Sequence, residues 1–259
     1  MIPFQMLKNC VLIDNRMSDA CKISLKRYYK TIELPCFEAL DEPINAHPDL
    51  FLFPYHEGFL TEQSTATLLS KFCEKQMFFF ADDIDSTHTV RFRGNSRDGV
   101  RYPQDCILNF AMCGNNLIGS RKAIHPRMAE LILKYRWKFI NVKQAYAKCN
   151  ICTVSDNALI TEDEGIAKEC SEHKLDVLLI KSGAVKLPGY AHGFIGGASS
   201  APYSSTEGTK LFFCGCIEKH PEYEKIRRFC RKYDVMPVSL SDEPLTDYGS
   251  VLPLIRGAG

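Results

Sequence analysis

Apolar and polar positions along the chain follow one scheme five times over. A short apolar run leads to a polar turn, then to a stretch with apolar residues spaced three and four apart, then to a second apolar run. The scheme is plain in NCVLIDNRMSDACKISLKRYYKTIELPCF from Asn9 and in DLFLFPYHEGFLTEQSTATLLSKFCEKQMFFF from Asp49. It recurs in DCILNFAMCGNNLIGSRKAIHPRMAELILKYRWKFINV from Asp105, in NICTVSDNALITEDEGIAKECSEHKLDVLLI from Asn150 and in TKLFFCGCIEKHPEYEKIRRFCRKYDVMPVSL from Thr209. Alternating or continuous apolar runs predict strands, and the three-and-four spacing predicts a helix between them. Met128, Leu131, Ile132 and Tyr135 mark one such helix face, and Tyr223, Ile226, Phe229 and Cys230 another.

Five α/β units at this spacing predict a closed set of repeats, in which the first and last units meet so that no inner strand is left uncovered. The third and fifth units lead into their helices through His125-Pro126 and His220-Pro221, where proline fits the first helical turn. His47-Pro48 precedes a strand-like run, so a different role is expected for it. Two polar stretches break the scheme, residues 81–103 and 196–208. Loops of that length are uncommon in compact domains unless they are disordered or functional, as lids are.

Composition narrows the class. A chain of 259 residues with 45% hydrophobic and 24% charged residues is ordinary for a globular protein and long enough for one domain with its own core. A formal net charge of +1 gives no reason to expect nucleic acid as a partner. No run is long enough to span a bilayer, and the N-terminus lacks a secretory pattern, so a cytoplasmic protein is expected. Twelve cysteines are then expected as free thiols, several within apolar strand-like runs at Cys10, Cys106, Cys152 and Cys214. Cys149-Asn150-Ile151-Cys152 is a CxxC, but no second pair stands at ligand spacing, so no metal is expected. No cofactor motif is present: GFIGG lacks the strand and helix that flank a nucleotide-binding turn, and reads as close backbone packing or a ligand-facing turn.

Five units of this kind resemble the pentein superfamily, the guanidino-group-modifying fold of arginine and agmatine deiminases, amidinotransferases and dimethylarginine dimethylaminohydrolase. The resemblance is closest over residues 102–255, and GFIGGASS and PLTDYGSVLPL look like those of a bacterial branch. It implies an α/β fold of ββαβ modules around a pseudo-five-fold axis, a five-unit αβ-propeller spanning 1–259 as a single domain. It also implies a site with acidic residues for the guanidinium, a histidine as acid and base, and a cysteine nucleophile in the last strand.

Placed on those positions, YPQDCILNF supplies Gln104 and Asp105, AKCNICTV supplies Asn150 where the superfamily has aspartate, and GYAHGFIGG supplies His192. In YGSVLPLI, Ser250 is followed by Val251, and Leu252 stands where the cysteine belongs. A one-residue shift brings only Val251 or Pro253. The covalent mechanism of the superfamily is therefore expected to be absent, because losing a nucleophile typically costs a factor on the order of a million.

The expected function is the binding of a small polar or cationic ligand, guanidino- or amino-acid-like, in a central channel. Asp105 would supply charge, His192 a hydrogen bond or acid–base chemistry, and Gln104, Asn150 and Ser250 the lining, with 81–103 as a lid. Two alternatives remain at this point. One is a hydrolase or amidinotransferase acting on C–N bonds of guanidino compounds through a relocated nucleophile, Cys106 or Cys149, or a water activated by His192. The other is a protein- or ribosome-interaction module. Strand alternation argues against the thiols, since a neighbour of a channel-facing residue points away. Ser250 has the parity of Leu252 but no base beside it.

Overall fold

The computed structural model describes residues 9–38, 40–55, 58–70, 89–90, 100 and 102–254. They form five three-stranded sheets of one topology. In each, a middle strand pairs antiparallel with one neighbour and parallel with the other. The second sheet is β3 (Leu52–Tyr55), β4 (Gly58–Glu62) and β5 (Thr89–Val90), and the third is β6 (Ala111–Cys113), β7 (Asn116–Gly119) and β8 (Lys138–Asn141). The fourth is β9 (Ile151–Ser155), β10 (Ala158–Thr161) and β11 (Asp176–Leu179), and the fifth is β12 (Tyr203–Ser205), β13 (Gly208–Phe213) and β14 (Val235–Ser239). A helix joins the two parallel strands each time, as Glu164–Glu172 joins β10 to β11 and Tyr223–Arg231 joins β13 to β14.

The first sheet is assembled from both ends of the described chain. β1 (Cys10–Asp14) runs parallel to β2 (Lys30–Leu34), and its antiparallel partner is β15 (Leu252–Pro253). Val11 faces Pro253 and Leu12 faces Leu252 in the register. The stretch YGSVLPLI thus supplies the first strand of the first unit.

Burial explains the apolar pattern. The middle strands are sealed on both faces, with all of Ala158–Thr161 buried, and so read as near-continuous apolar runs. The third strands are edges and read as mixed, as in Lys138–Asn141. Each core cluster joins two successive units. Leu12, Ile32 and Leu34 pack with Leu50 and Leu52, Phe53 and Leu60 with Leu108 and Leu117, and Ala111 and Ile118 with Ile151 and Leu159. Cys152 and Ile160 pack with Leu211 and Phe213, and Phe212 and Leu240 return to Val11 and Ile13. At about 1.5–3 kcal/mol for each large side chain fully buried, these inter-unit seams are where most of the fold's stabilisation lies. One cavity of about 730 Å³ is lined from all five first strands, by Phe53, Met112, Thr153, Tyr203 and Leu252 among others.

Local chemistry fits the helix ends. Asp163 accepts from Ile166 N at 2.7 Å, and His125 Nδ1 accepts from Arg127 N at 3.2 Å. His220 Nδ1 accepts from Glu222 N at 3.0 Å. The separate role expected for His47-Pro48 is not what the fold shows, because Pro48 opens a helical turn, Pro48–Phe51, with His47 at its N-cap. Cys106 and Cys149 also lie outside strands, in a 3-10 turn (Gln104–Cys106) and a helical turn (Ala147–Asn150). None of the eleven cysteines among the described residues is in a disulfide, and all but Cys36 are buried. No helix among the described residues is long and apolar enough to cross a membrane.

Candidate functional site: a buried polar centre

The chain reaches the first strand of each sheet through a turn that carries polar groups, and these turns meet. Asp49 lies ahead of β3, Asn109 ahead of β6, Lys148 and Cys149 ahead of β9, Gly196 and Gly197 ahead of β12, and Ser250 ahead of β15. Asp49, Asn109, Cys149 and Ser250 are all buried. Cys149 Sγ lies 3.3 Å from both carboxylate oxygens of Asp49 and 3.2 Å from Asn109 Nδ2, which donates to it. Asn109 Oδ1 accepts from Lys148 N and Cys149 N, and its Nδ2 also donates to Asp49 O. The Ser250 hydroxyl stands 2.9 Å from Asp49 Oδ2 and 2.9 Å from Gly196 O, and accepts from Lys148 Nζ at 2.8 Å.

This centre is tight and strained. Ser250 has φ +74°, a left-handed conformation that a side chain with a Cβ adopts at a cost. A Cβ added to Gly196 would run into the carbonyls of Lys148, Cys149 and Ile151, and one on Gly197 into the Asp247 carboxylate. The GFIGG run is therefore close backbone packing against the centre.

Among the described residues four carboxyl groups lie in or near it: Asp49 within it, and Asp247, Asp105 and Glu162 nearby. Asp247 lies 3.8 Å from His47 Nδ1 and accepts from Phe194 N and Gly249 N. Burial raises its pKa, with His47 acting the other way. Asp105 accepts from the Tyr146 hydroxyl and, at 3.2 Å, from the Cys106 thiol. Glu162 Oε2 accepts from Ile195 N at 2.8 Å, while Oε1 is buried without a partner. Burial pushes the Glu162 carboxyl up to about 7, against the opposing effects of Ile195 N–H and His192. Among the described residues no lysine or arginine pairs with any of the four. Lys148, the cation in the centre, bonds to Ser250 Oγ and Gly196 O instead.

The thiols here are not poised as nucleophiles. Burial, then the charges of Asp49 and Asp247, hold the Cys149 thiol well above its ordinary range. Burial, then Asp105, does the same to Cys106. A thiolate forms beside positive charge, and these thiols face carboxylates.

The residues singled out from the sequence fall in different places. Ser250 is in the centre, and its left-handed backbone takes it out of the strand parity expected with Leu252. Leu252 itself is buried in the core against Leu12. Asp105 is buried beside Tyr146, and its charge is felt by the half-exposed Tyr190. Gln104 is half-buried in the same turn. His192 is half-buried, with Nδ1 3.0 Å from Gly193 O, its ring edge-on to Phe194 and its charge felt by Glu162. Asn150 is buried with its amide donating to Tyr146 O, within its own turn. The lid expected over 81–103 lies, apart from 89–90, 100 and 102–103, outside the described residues.

Asp49, Asn109, Lys148, Asp247 and Glu162 were not anticipated. One signal was available. In four of the five units a polar residue, Asp49, Asn109, Cys149 or Ser250, stands two or three residues ahead of the first strand, and polar groups recurring at nearly one place mark a shared centre.

The chain belongs to the family described as "Family of unknown function (DUF6873)", which matches residues 12–252. No curated protein sequence matches it. Its structure is similar to that of an agmatine deiminase of C. jejuni, with 9% identity over 89% of this chain and 76% of that one, at a TM-score of 0.43. It is also similar to SxtG, an amidinotransferase from Microseira wollei in the saxitoxin biosynthetic pathway, with 10% identity over 97% of this chain and 95% of that one, at a TM-score of 0.46. An agmatine deiminase and an amidinotransferase are kinds of enzyme that the sequence resemblance named. At this distance their chemistry is not carried over.

Proposed function

We propose that the five units form one pentein-type domain, a ring around a central channel, and that the ring binds a small organic cation beside its polar centre. The ring is supported by core clusters that link successive units and return from the fifth to the first. The ligand is a guanidino or amino compound. Asp105 and Glu162 supply the charge, with Tyr190 and His192 beside them. A planar guanidinium suits this role because carboxylates hold its fork of donors in two directions at once.

The observation that carries the reading is the set of four buried or half-buried carboxyl groups with no lysine or arginine paired to them among the described residues. Buried carboxylates that have hydrogen-bond donors but no lysine or arginine beside them keep charge that is costly to bury, and an organic cation offsets it. The protonated, carboxylate-facing state of Cys106 and Cys149 supports binding without thiol-dependent hydrolysis.

Thermal shift against arginine, agmatine, methylated arginines and citrulline tests this. A ligand at about 100 times its dissociation constant stabilises the fold by roughly 2.7 kcal/mol. We expect a shift with at least one cationic compound, none with citrulline's neutral ureido group alone, and loss of the shift in Asp105→Asn. No shift with any of them sinks the reading.

A second reading rests on Cys149, among the described residues the one thiol at the meeting point of the five turns. A cationic substrate beside it would favour the thiolate, and a hydrolase would release ammonia or an alkylamine. Turnover that disappears in Cys149→Ala would establish that reading in place of simple binding.

A further inference from the structure

We infer that His47, Asp49 and Cys149 form a binding site for a divalent metal ion of the zinc class. One imidazole nitrogen, one carboxylate oxygen and the thiol sulfur all lie within 4.8 Å of one another, and all three residues are buried. The CxxC of the sequence pointed elsewhere. It pairs Cys149 with Cys152, which lies on the strand that follows, whereas the fold sets Cys149 against a histidine and an aspartate about 100 residues earlier in the chain.

The geometry is close to what such an ion requires. Zinc binds nitrogen and oxygen at about 2.0–2.2 Å and sulfur at about 2.3 Å, which separates tetrahedral donors by about 3.5 Å. Cys149 Sγ already lies 3.3 Å from Asp49. His47 and Asp49 flank Pro48, whose fixed backbone opens the helical turn that presents both. A mixed nitrogen, oxygen and sulfur set favours zinc or cobalt over magnesium or calcium.

The surroundings supply what metal ligands need. Asn109 Nδ2 donates to the sulfur at 3.2 Å, which favours a thiolate. Ser250 Oγ lies 2.9 Å from Asp49 Oδ2 and fixes that carboxylate. The Asp247 carboxylate stands 3.8 Å from His47 Nδ1, beyond hydrogen-bond distance but close enough to act on the imidazole by its charge.

Charge is balanced as well. A thiolate at Cys149 with Asp49 and Asp247 carries three negative charges, and a divalent ion with Lys148 carries three positive ones. The proton displaced from the thiol leaves to solvent. Three protein ligands leave a fourth position open, as in catalytic rather than structural zinc sites. The inference goes beyond the ligand reading and does not depend on it, because the ion takes Asp49 and leaves Asp105 and Glu162 free for an organic cation.

Cobalt titration of chelator-treated protein tests the site. We expect one Co²⁺ per chain, with near-ultraviolet thiolate-to-cobalt charge-transfer absorption that Zn²⁺ abolishes. Cys149→Ser should lose that absorption while its circular dichroism stays native, and His47→Gln should weaken Co²⁺ binding at least tenfold. Asp105→Asn should bind Co²⁺ as the unaltered chain does, which separates this test from that of the organic ligand. Should a variant fail to fold, anomalous scattering at the zinc edge from Zn²⁺-soaked crystals of the unaltered chain replaces it, with one peak expected between the three residues. No charge-transfer absorption, the same absorption in Cys149→Ser, or no anomalous peak at the site would overturn the inference.

Discussion

Replacing Glu162 by glutamine should stabilise the protein at alkaline pH and leave it unchanged in acid. Glu162 directly follows β10. One of its oxygens accepts from Ile195 N, and the other is buried with no partner. Burial moves its carboxyl from 4.5 in the unfolded chain to about 7 in the fold. Between those two values the folded protein binds more protons than the unfolded one, so stability falls as pH rises through that window. Below 4.5 both states are protonated and nothing is lost, and above about 7 the whole cost is present. At 1.36 kcal/mol per pKa unit that cost is about 3 kcal/mol. Glutamine keeps the acceptor for Ile195 N and carries no charge. Its amide leaves the same position unpartnered that the protonated carboxyl leaves in acid, so that cost is common to both proteins and the net gain at pH 8 is about 3 kcal/mol. Urea unfolding of both proteins from pH 4 to pH 8.5 reads the difference from the midpoints. The curves should meet near pH 4 and separate steadily up to pH 7. Curves that stay parallel across the range would refute the reasoning.

Three further predictions concern the same centre and its frame. Ser250→Gly should be less destabilising than Ser250→Ala by about 1 kcal/mol in urea unfolding, because both lose the hydroxyl but only glycine relieves the left-handed backbone. Gly197→Ala should destabilise by about 3 kcal/mol or abolish folding, since its Cβ meets the Asp247 carboxylate, and an unchanged melting temperature would contradict that packing. Asp163→Ala should cost about 1 kcal/mol through loss of the cap on the helix Glu164–Glu172, while Asp163→Asn should cost less than half of that in the same assay.

The repeating architecture was legible in the sequence because it rests on local signals. Central strands sealed on both faces must be apolar throughout, and helices lying on them must carry a three-and-four stripe. The first and last units were expected to meet so that every inner strand is covered, and Phe212 and Leu240 of the fifth unit pack with Val11 and Ile13 of the first. The centre was less legible, for a physical reason. Its residues sit on turns of three or four residues, such as Gln104–Cys106, Pro48–Phe51 and Ala147–Asn150, which are too short to show a period. These turns adjoin apolar strands and read as part of them. Strand alternation was then applied to Cys149, which sits on a helical turn and touches Asp49 instead of pointing away. The partners of the centre are also far apart in the chain, with Asp49 and Ser250 separated by 201 residues, and no local pattern joins them.

The proposed ligand is a cation held in the acidic surroundings of this centre. Isothermal titration of agmatine at pH 7, in two buffers of different ionisation enthalpy, tests it most directly. A cation held beside Glu162 drives off the proton that this carboxyl keeps in the free protein. We expect binding with net proton release, a release that disappears in Glu162→Gln and binding that weakens at least tenfold in Asp105→Asn. Absence of binding heat, or binding with no proton exchanged and no dependence on Asp105, would contradict it.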